Sequence, residues 1–214
     1  SAVAVGVQAG ETAQGLYATA LGSSAGKTSQ GNNATAVGRL SGEISQGNDT
    51  VAIGLFSAQQ NQGTYAVAAG RQAGQFNQGE STTAVGYLAG GTYSVAVGVS
   101  AGQTDQGANA TAVGNSAGQT DQGPNATAVG HTAGQTDQGS YAVAVGREAG
   151  NTSQGIYATA VGYHAGETGQ GQRTVAVGNS AGRSDQGSYA TAIGDFTGYQ
   201  NQGNYAVAAG FQAG

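Results

Sequence analysis

The chain has 214 residues, 41 of them glycine, with a single proline (Pro124) and no cysteine, methionine or tryptophan. Collagen is excluded, because its triplet period needs abundant proline and far more glycine; disulfides, thiolate zinc sites and thiol catalysis go with the missing cysteine. Eleven acids against six bases give a net charge of −5, and the bases (Lys27, Arg39, Arg71, Arg147, Arg173 and Arg183) are scattered, so no basic stripe marks a nucleic-acid partner.

Read from the N-terminus, the sequence is one sixteen-residue phrase repeated, close to Ala-Thr-Ala-Val-Gly-x-x-Ala-Gly-x-Thr-x-Gln-Gly-x-Tyr. Full copies begin at Ala2, Ala18, Ala34, Thr50, Ala66, Ser94, Ala110, Ala126, Ala142, Ala158, Thr174 and Ala190, a shortened copy occupies 82–93 and a partial one 206–214. Such an array is a solenoid, in which each coil contacts only its neighbours. The expectation is therefore an all-β, parallel β-roll or β-solenoid of about 13 coils, residues 1–214 forming one repeat domain, roughly 60 Å long at the spacing of paired strands.

Within the phrase, positions 1 to 4 alternate tiny and branched residues, as in Ala142 to Val145, which reads as a short strand. Glycines at positions 5, 9 and 14 are read as corners accepting positive φ, with Ala58 the one replacement at position 9. A second short extended stretch is expected around position 8, followed by a longer polar turn. Position 13 is glutamine in every full copy: Gln14, Gln30, Gln46, Gln62, Gln78, Gln106, Gln122, Gln138, Gln154, Gln170, Gln186 and Gln202. Stacked in register, these side chains are expected to form a structural amide ladder.

Position 3 is always alanine, while positions 2 and 4 carry Val, Ile, Leu or Thr except at Ala69 and Ala209, so both faces of the strand are apolar. Alanine suits a very thin interior. The branched face then needs another cover, and a second copy of the chain is the expected one, because soluble monomers rarely leave so long an apolar ladder bare. The shortened copy lacks four residues between Gly90 and Gly91, where a notch or a local change of twist is expected.

The strings Ala142 to Ala149, Thr50 to Gly54 and Ser94 to Gly98 resemble the head repeats of YadA-type trimeric autotransporter adhesins, and the arrays are also similar to those of bacteriophage and large-virus fibre proteins. The resemblance implies a left-handed parallel β-roll in a homotrimer packed around one axis, at a cell or virion surface. The sixteen-residue coil is longer than the adhesin family's usual coil, and the Gln-Gly corner is not part of its pattern. No stalk or membrane anchor is visible, and both ends stop mid-pattern, so adjoining domains or subunits are expected.

The variable positions 6 and 7 carry more aromatic residues than a spacer requires, making Phe56, Tyr87, Tyr163, Phe196 and Phe211 the candidate contact residues for a cell-surface glycan or protein. Position 16 supplies a second row: Tyr17, Tyr65, Tyr93, Tyr141, Tyr157, Tyr189 and Tyr205, for which sugar stacking competes with covering a neighbouring coil or subunit. Other signals weigh little. Gly26-Lys27-Thr28 lacks the first glycine of a phosphate-binding loop, whose place holds Leu21. Asp105, Asp121 and Asp137 recur at position 12 but supply too few ligands for calcium, and His131 and His164 share no position, so no metal or cofactor is expected. No catalytic constellation can be placed, and no apolar run is long enough to insert in a membrane. The expectation is a non-enzymatic fibre segment that attaches to a surface outside a cell or on a virion, with a passive spacer as the alternative. Ice binding is remoter, because Ile44, Gln60, Phe76 and Gln200 break the position-11 threonine row.

Overall fold

The computed structural model of the chain describes residues 1–91 and 94–214; Thr92 and Tyr93, the latter counted above in the position-16 row, lie outside the described residues. The coil is a parallel β-solenoid turn of about 16 residues, repeated about 13 times, and all regular structure among the described residues is strand. Two compact units are present, Ser1–Ser100 and Ala101–Gly214.

Each coil opens with a front strand at positions 2 to 4. In the first unit these are Val3–Val5, Thr19–Leu21, Thr35–Val37, Val51–Ile53, Val67–Ala69, Thr83–Val85 and Val95–Val97, paired in that order. In the second they are Thr111–Val113, Thr127–Val129, Val143–Val145, Thr159–Val161, Val175–Val177, Thr191–Ile193 and Val207–Ala209. Pairing is parallel and keeps like positions opposite, as in Ala4↔Ala20 and Ala144↔Ala160. The alternation of alanine with branched residues fixes this register, since a one-residue slip would drive valine into the alanine side.

The second strand corrects the expectation. It lies at positions 11 to 13, not around position 8: Thr12–Gln14, Thr28–Gln30, Ile44–Gln46 and Gln60–Gln62 form one four-stranded sheet, and Thr120–Gln122, Thr136–Gln138, Thr152–Gln154 and Thr168–Gln170 another. Position 8 sits instead in a tight turn, because the residues at positions 7 and 9 both adopt left-handed backbone, as Ser24 (φ 56°) and Gly26 (φ 50°) do. Position 12, in the middle of the rear strand, is left-handed too, and only positions 11 and 13 pair with the next coil, as in Thr136↔Thr152 and Gln138↔Gln154. That explains the Asp, Asn and Ser found there: short polar side chains tolerate this conformation better than branched ones. Asp105, Asp121 and Asp137 accordingly lie exposed. In the shortened copy, Thr83–Val85 keeps its register with both Val67–Ala69 and Val95–Val97, so the front sheet runs on where the deletion removes a rear strand's residues.

The glycines are present for different reasons. At position 5, Gly38 has φ +125°, and a Cβ there would stand 2.5 Å from the Gly54 carbonyl oxygen of the next coil. At position 14 the expectation of positive φ fails. Gly47 has no left-handed backbone, but a Cβ would stand 2.8 Å from Gln62 O and Thr64 N, so close stacking of coils excludes a side chain.

The interior is as thin as alanine allows. Position 3 (Ala20, Ala36, Ala144), position 8 (Ala25, Ala117, Ala149) and position 1 (Ala34, Ala126, Ala142) are fully buried. Where a hydroxyl replaces a methyl it finds a carbonyl: Ser41 Oγ donates to Ala52 O at 2.7 Å, Ser57 Oγ to Ala68 O at 2.8 Å and Thr50 Oγ1 to Gly47 O at 2.9 Å. The remaining space is filled by the position-13 glutamines.

These glutamines do more than stack. Their Nε2 groups cross the coil and donate to the position-2 carbonyl of the front strand, at 2.8 Å from Gln138 to Thr127 and 3.0 Å from Gln186 to Val175. The expected ladder between coils exists in runs: Gln106 to Gln122, Gln122 to Gln138, Gln138 to Gln154, Gln170 to Gln186 and Gln186 to Gln202 at 3.0–3.2 Å, with Gln62 to Gln78 at 3.1 Å. Elsewhere the rung is missing, and Oε1 of Gln30, Gln46, Gln62 and Gln170 is buried without a partner. Rung formation is therefore secondary to the cross-coil tie.

Replacing Gln138 by leucine removes the tie to Thr127 and both rungs, leaving buried amide groups unpaired; a loss of about 1–3 kcal/mol in urea unfolding is expected. The same change at Gln14, whose bond to Val3 O is exposed, should cost less. Gly38→Ala combines a backbone clash with unfavourable φ and should lower the thermal midpoint further than Ala58→Gly raises or lowers it.

Candidate functional site

The outer surface is organised in columns, because like positions stack at the spacing of paired strands. The position-6 and position-7 aromatics do not make one patch. Phe56 and Tyr87 belong to the first unit; Tyr163, Phe196 and Phe211 belong to the second. Tyr163 stands on one coil, and Phe196 and Phe211 stand on the second and third coils after it. Each of three also has a neighbour inside the chain. The Arg71 guanidinium lies 5.4 Å from the Tyr87 ring centre, Arg147 lies 5.5 Å from that of Tyr163, and Phe196 packs against Tyr199 at 5.7 Å. In both cation–π pairs the arginine comes from position 6 of the preceding coil. Phe211 is the most exposed of the set.

Position 16 forms a more continuous feature. In the second unit Tyr141 stacks on Tyr157 (5.0 Å, 11°), Arg173 follows with its guanidinium 5.7 Å from both Tyr157 and Tyr189, and Tyr189 stacks on Tyr205 (5.0 Å, 10°). Five successive coils thus carry a tyrosine–tyrosine–arginine–tyrosine–tyrosine stack, with Arg173 Nη1 3.5 Å from Tyr189 Oη. Ring faces are turned to one another along the column. Sugar stacking, which needs an open face, is thereby disfavoured within the run.

Position 10 is a third column, which the sequence reading missed. Gln119 donates to Gln103 (3.1 Å), Gln135 to Gln119 (3.0 Å) and Asn151 to Gln135 (3.3 Å); in the first unit Gln75 donates to Gln59 (3.0 Å) and Gln59 to Glu43 (2.8 Å). Lys27, the decoy of the phosphate-loop string, stands in this column 3.9 Å from Glu11. The column's far end is ionic: Arg183 Nε donates to Glu167 Oε2 at 2.6 Å and Nη1 to Tyr199 Oη at 2.7 Å. The Glu167 hydrogen bond raises the Arg183 pKa above its ordinary value, so this guanidinium stays cationic.

Columns 7 and 10 meet at His164. Its Nδ1 lies 2.8 Å from Glu167 Oε2 on the same coil and 3.1 Å from Glu148 Oε2 on the preceding one, while the Tyr163 ring meets the imidazole edge-on at 3.9 Å. The imidazole side chain is 12% exposed. In sequence the two histidines share no repeat position. The available signal was Glu148 sixteen residues before His164, the same position on adjacent coils.

No protein-family model matches the chain, and no curated protein does.

Removing the Arg173 side chain opens the position-16 stack at its centre and forfeits two cation–π contacts. Arg173→Ala should destabilise the protein by about 1 kcal/mol in chemical denaturation, whereas Lys27→Ala, which loses a long and partly exposed pair, should cost less than about 0.5 kcal/mol.

Proposed function

We propose that the chain is a segment of a homotrimeric, non-enzymatic fibre, displayed outside a cell or on a virion, that attaches to a surface through repeated weak contacts. The observation that carries this reading is the front sheet's outer face. Ala20, Ala52, Ala160 and Ala192 behind it are fully buried, yet Leu21 and Ile53 in the first unit and Val161 and Ile193 in the second remain 36–47% exposed. An apolar ladder of that kind is an interface in search of cover. A second and third copy supply it with matching periodicity, since each would present the same ladder at the same spacing.

The passive-spacer reading also has support. The Tyr87 and Tyr163 rings are engaged by Arg71 and Arg147, so part of the aromatic excess at position 6 stabilises the coil stack itself. Ice binding finds less. In the second unit the position-11 threonines end at Thr168 and are followed by Ser184 and Gln200, which breaks a regular hydroxyl row.

Two measurements test the reading. Light scattering across a dilution series should give three times the 20.7 kDa chain mass, and Val161→Asp, at a position exposed in the single chain, should reduce it to one chain mass while leaving the β-sheet circular dichroism intact. A wild-type monomer at all concentrations overturns the fibre reading. With the trimer in hand, Tyr163→Ala and Phe196→Ala should weaken retention on glycan-coated surfaces several-fold through lost avidity, at unchanged mass. Unaltered retention makes the segment a spacer.

A further inference from the structure

Glu148, His164 and Glu167 bring three donor atoms of metal-ligand type within 4.8 Å of one another, across two neighbouring coils of the second unit. The geometry points to a site for a borderline divalent metal ion of the zinc class, held by His164 Nδ1 and one carboxylate oxygen each from Glu148 and Glu167.

Three observations carry it. First, His164 Nδ1 is buried, and although two carboxylate oxygens crowd it at 2.8 and 3.1 Å, neither makes a hydrogen bond with it. One imidazole nitrogen and two carboxylate oxygens converging at these distances form a donor set that a single divalent cation can share. Second, donors about 2.0–2.1 Å from a tetrahedral ion stand roughly 3.3 Å apart, close to the 2.8 and 3.1 Å between His164 Nδ1 and the two carboxylates, and all three donors lie within 4.8 Å of one another. Third, the donors are held. Oε1 of Glu148 takes the Arg147 guanidinium (Nε at 3.0 Å, Nη2 at 3.0 Å), which leaves Oε2 directed at His164. The Tyr163 ring fixes the imidazole from the side.

The chemistry of the set selects the ion. One imidazole with two carboxylates suits zinc, cobalt or nickel, whereas calcium and magnesium take all-oxygen shells. Water completes the coordination, as in three-ligand zinc sites. Arg183 competes for Glu167 Oε2, but a carboxylate offers about four lone-pair positions, so Glu167 can serve both cations with some loss of affinity. The ion would link the coil beginning at Ala142 to the one beginning at Ala158, a cross-link the repeat lacks elsewhere among the described residues.

Titration of the full chain with Co²⁺ at neutral pH, read by its visible d–d absorption, should show one ion per chain with the intensity of low-coordinate nitrogen–oxygen ligation, and Zn²⁺ should displace it. By calorimetry, His164→Gln and Glu148→Gln should each weaken Zn²⁺ binding at least tenfold, His131→Gln should leave it unchanged, and Arg183→Gln should strengthen it by relieving competition. The proposal is overturned if wild type gives no cobalt absorption, or if His164→Gln binds Zn²⁺ as wild type does. The wild-type spectrum and the gain in Arg183→Gln decide the matter even where a loss-of-ligand variant folds poorly.

Discussion

The constraint on which everything else rests is the narrowness of the coil. Only methyl groups, hydroxyls and one extended amide fit between the front and rear strands, so hydrophobic burial within a single turn is small and cannot by itself offset the ordering of sixteen residues. Two devices make up the difference. Each coil lends its backbone hydrogen bonds to the coils on either side, and each position-13 glutamine ties the rear strand to the front strand through a buried carbonyl. Stability is thus a property of neighbouring coils together, as expected for a nearest-neighbour array.

That narrowness also orders the surface. Because the interior admits no large side chains beyond the position-13 glutamines, the Val, Ile, Tyr, Phe and Arg among the described residues stand outside, sorted into columns by the register of the sheets. Tyrosines meet tyrosines, amides meet amides, and an arginine placed among tyrosines becomes a rung instead of an interruption. The exposed branched ladder and the polar columns are two results of one packing rule, and the trimer proposal uses only the first of them.

Much of this was legible in the repeat. Alanine at position 3 gave the interior, the branched residues at 2 and 4 gave the outer face, and glycine at position 5 gave the corner. The rear strand was not legible, because a left-handed residue at position 12 destroys the period-two pattern by which strands are read, and Thr-Asp-Gln resembles a turn. The glycines at position 14 were assigned to the right place for the wrong cause: the backbone of the next coil, at Gly47 and its equivalents, leaves no room for a Cβ. The His164 cluster needed residues to be compared sixteen apart, across types, and the Tyr141 to Tyr205 column would have emerged from the same comparison.

The fixed register has a consequence for how such a chain changes over generations. Within either unit, most consecutive full coils present like alanines, glycines and glutamines on their upper and lower edges, so a duplication or loss of sixteen codons restores similar contacts at the join. Length can drift by whole coils without selection having to repair a core. Substitution is confined in the opposite sense, since a column gains a new property only when adjacent coils change together.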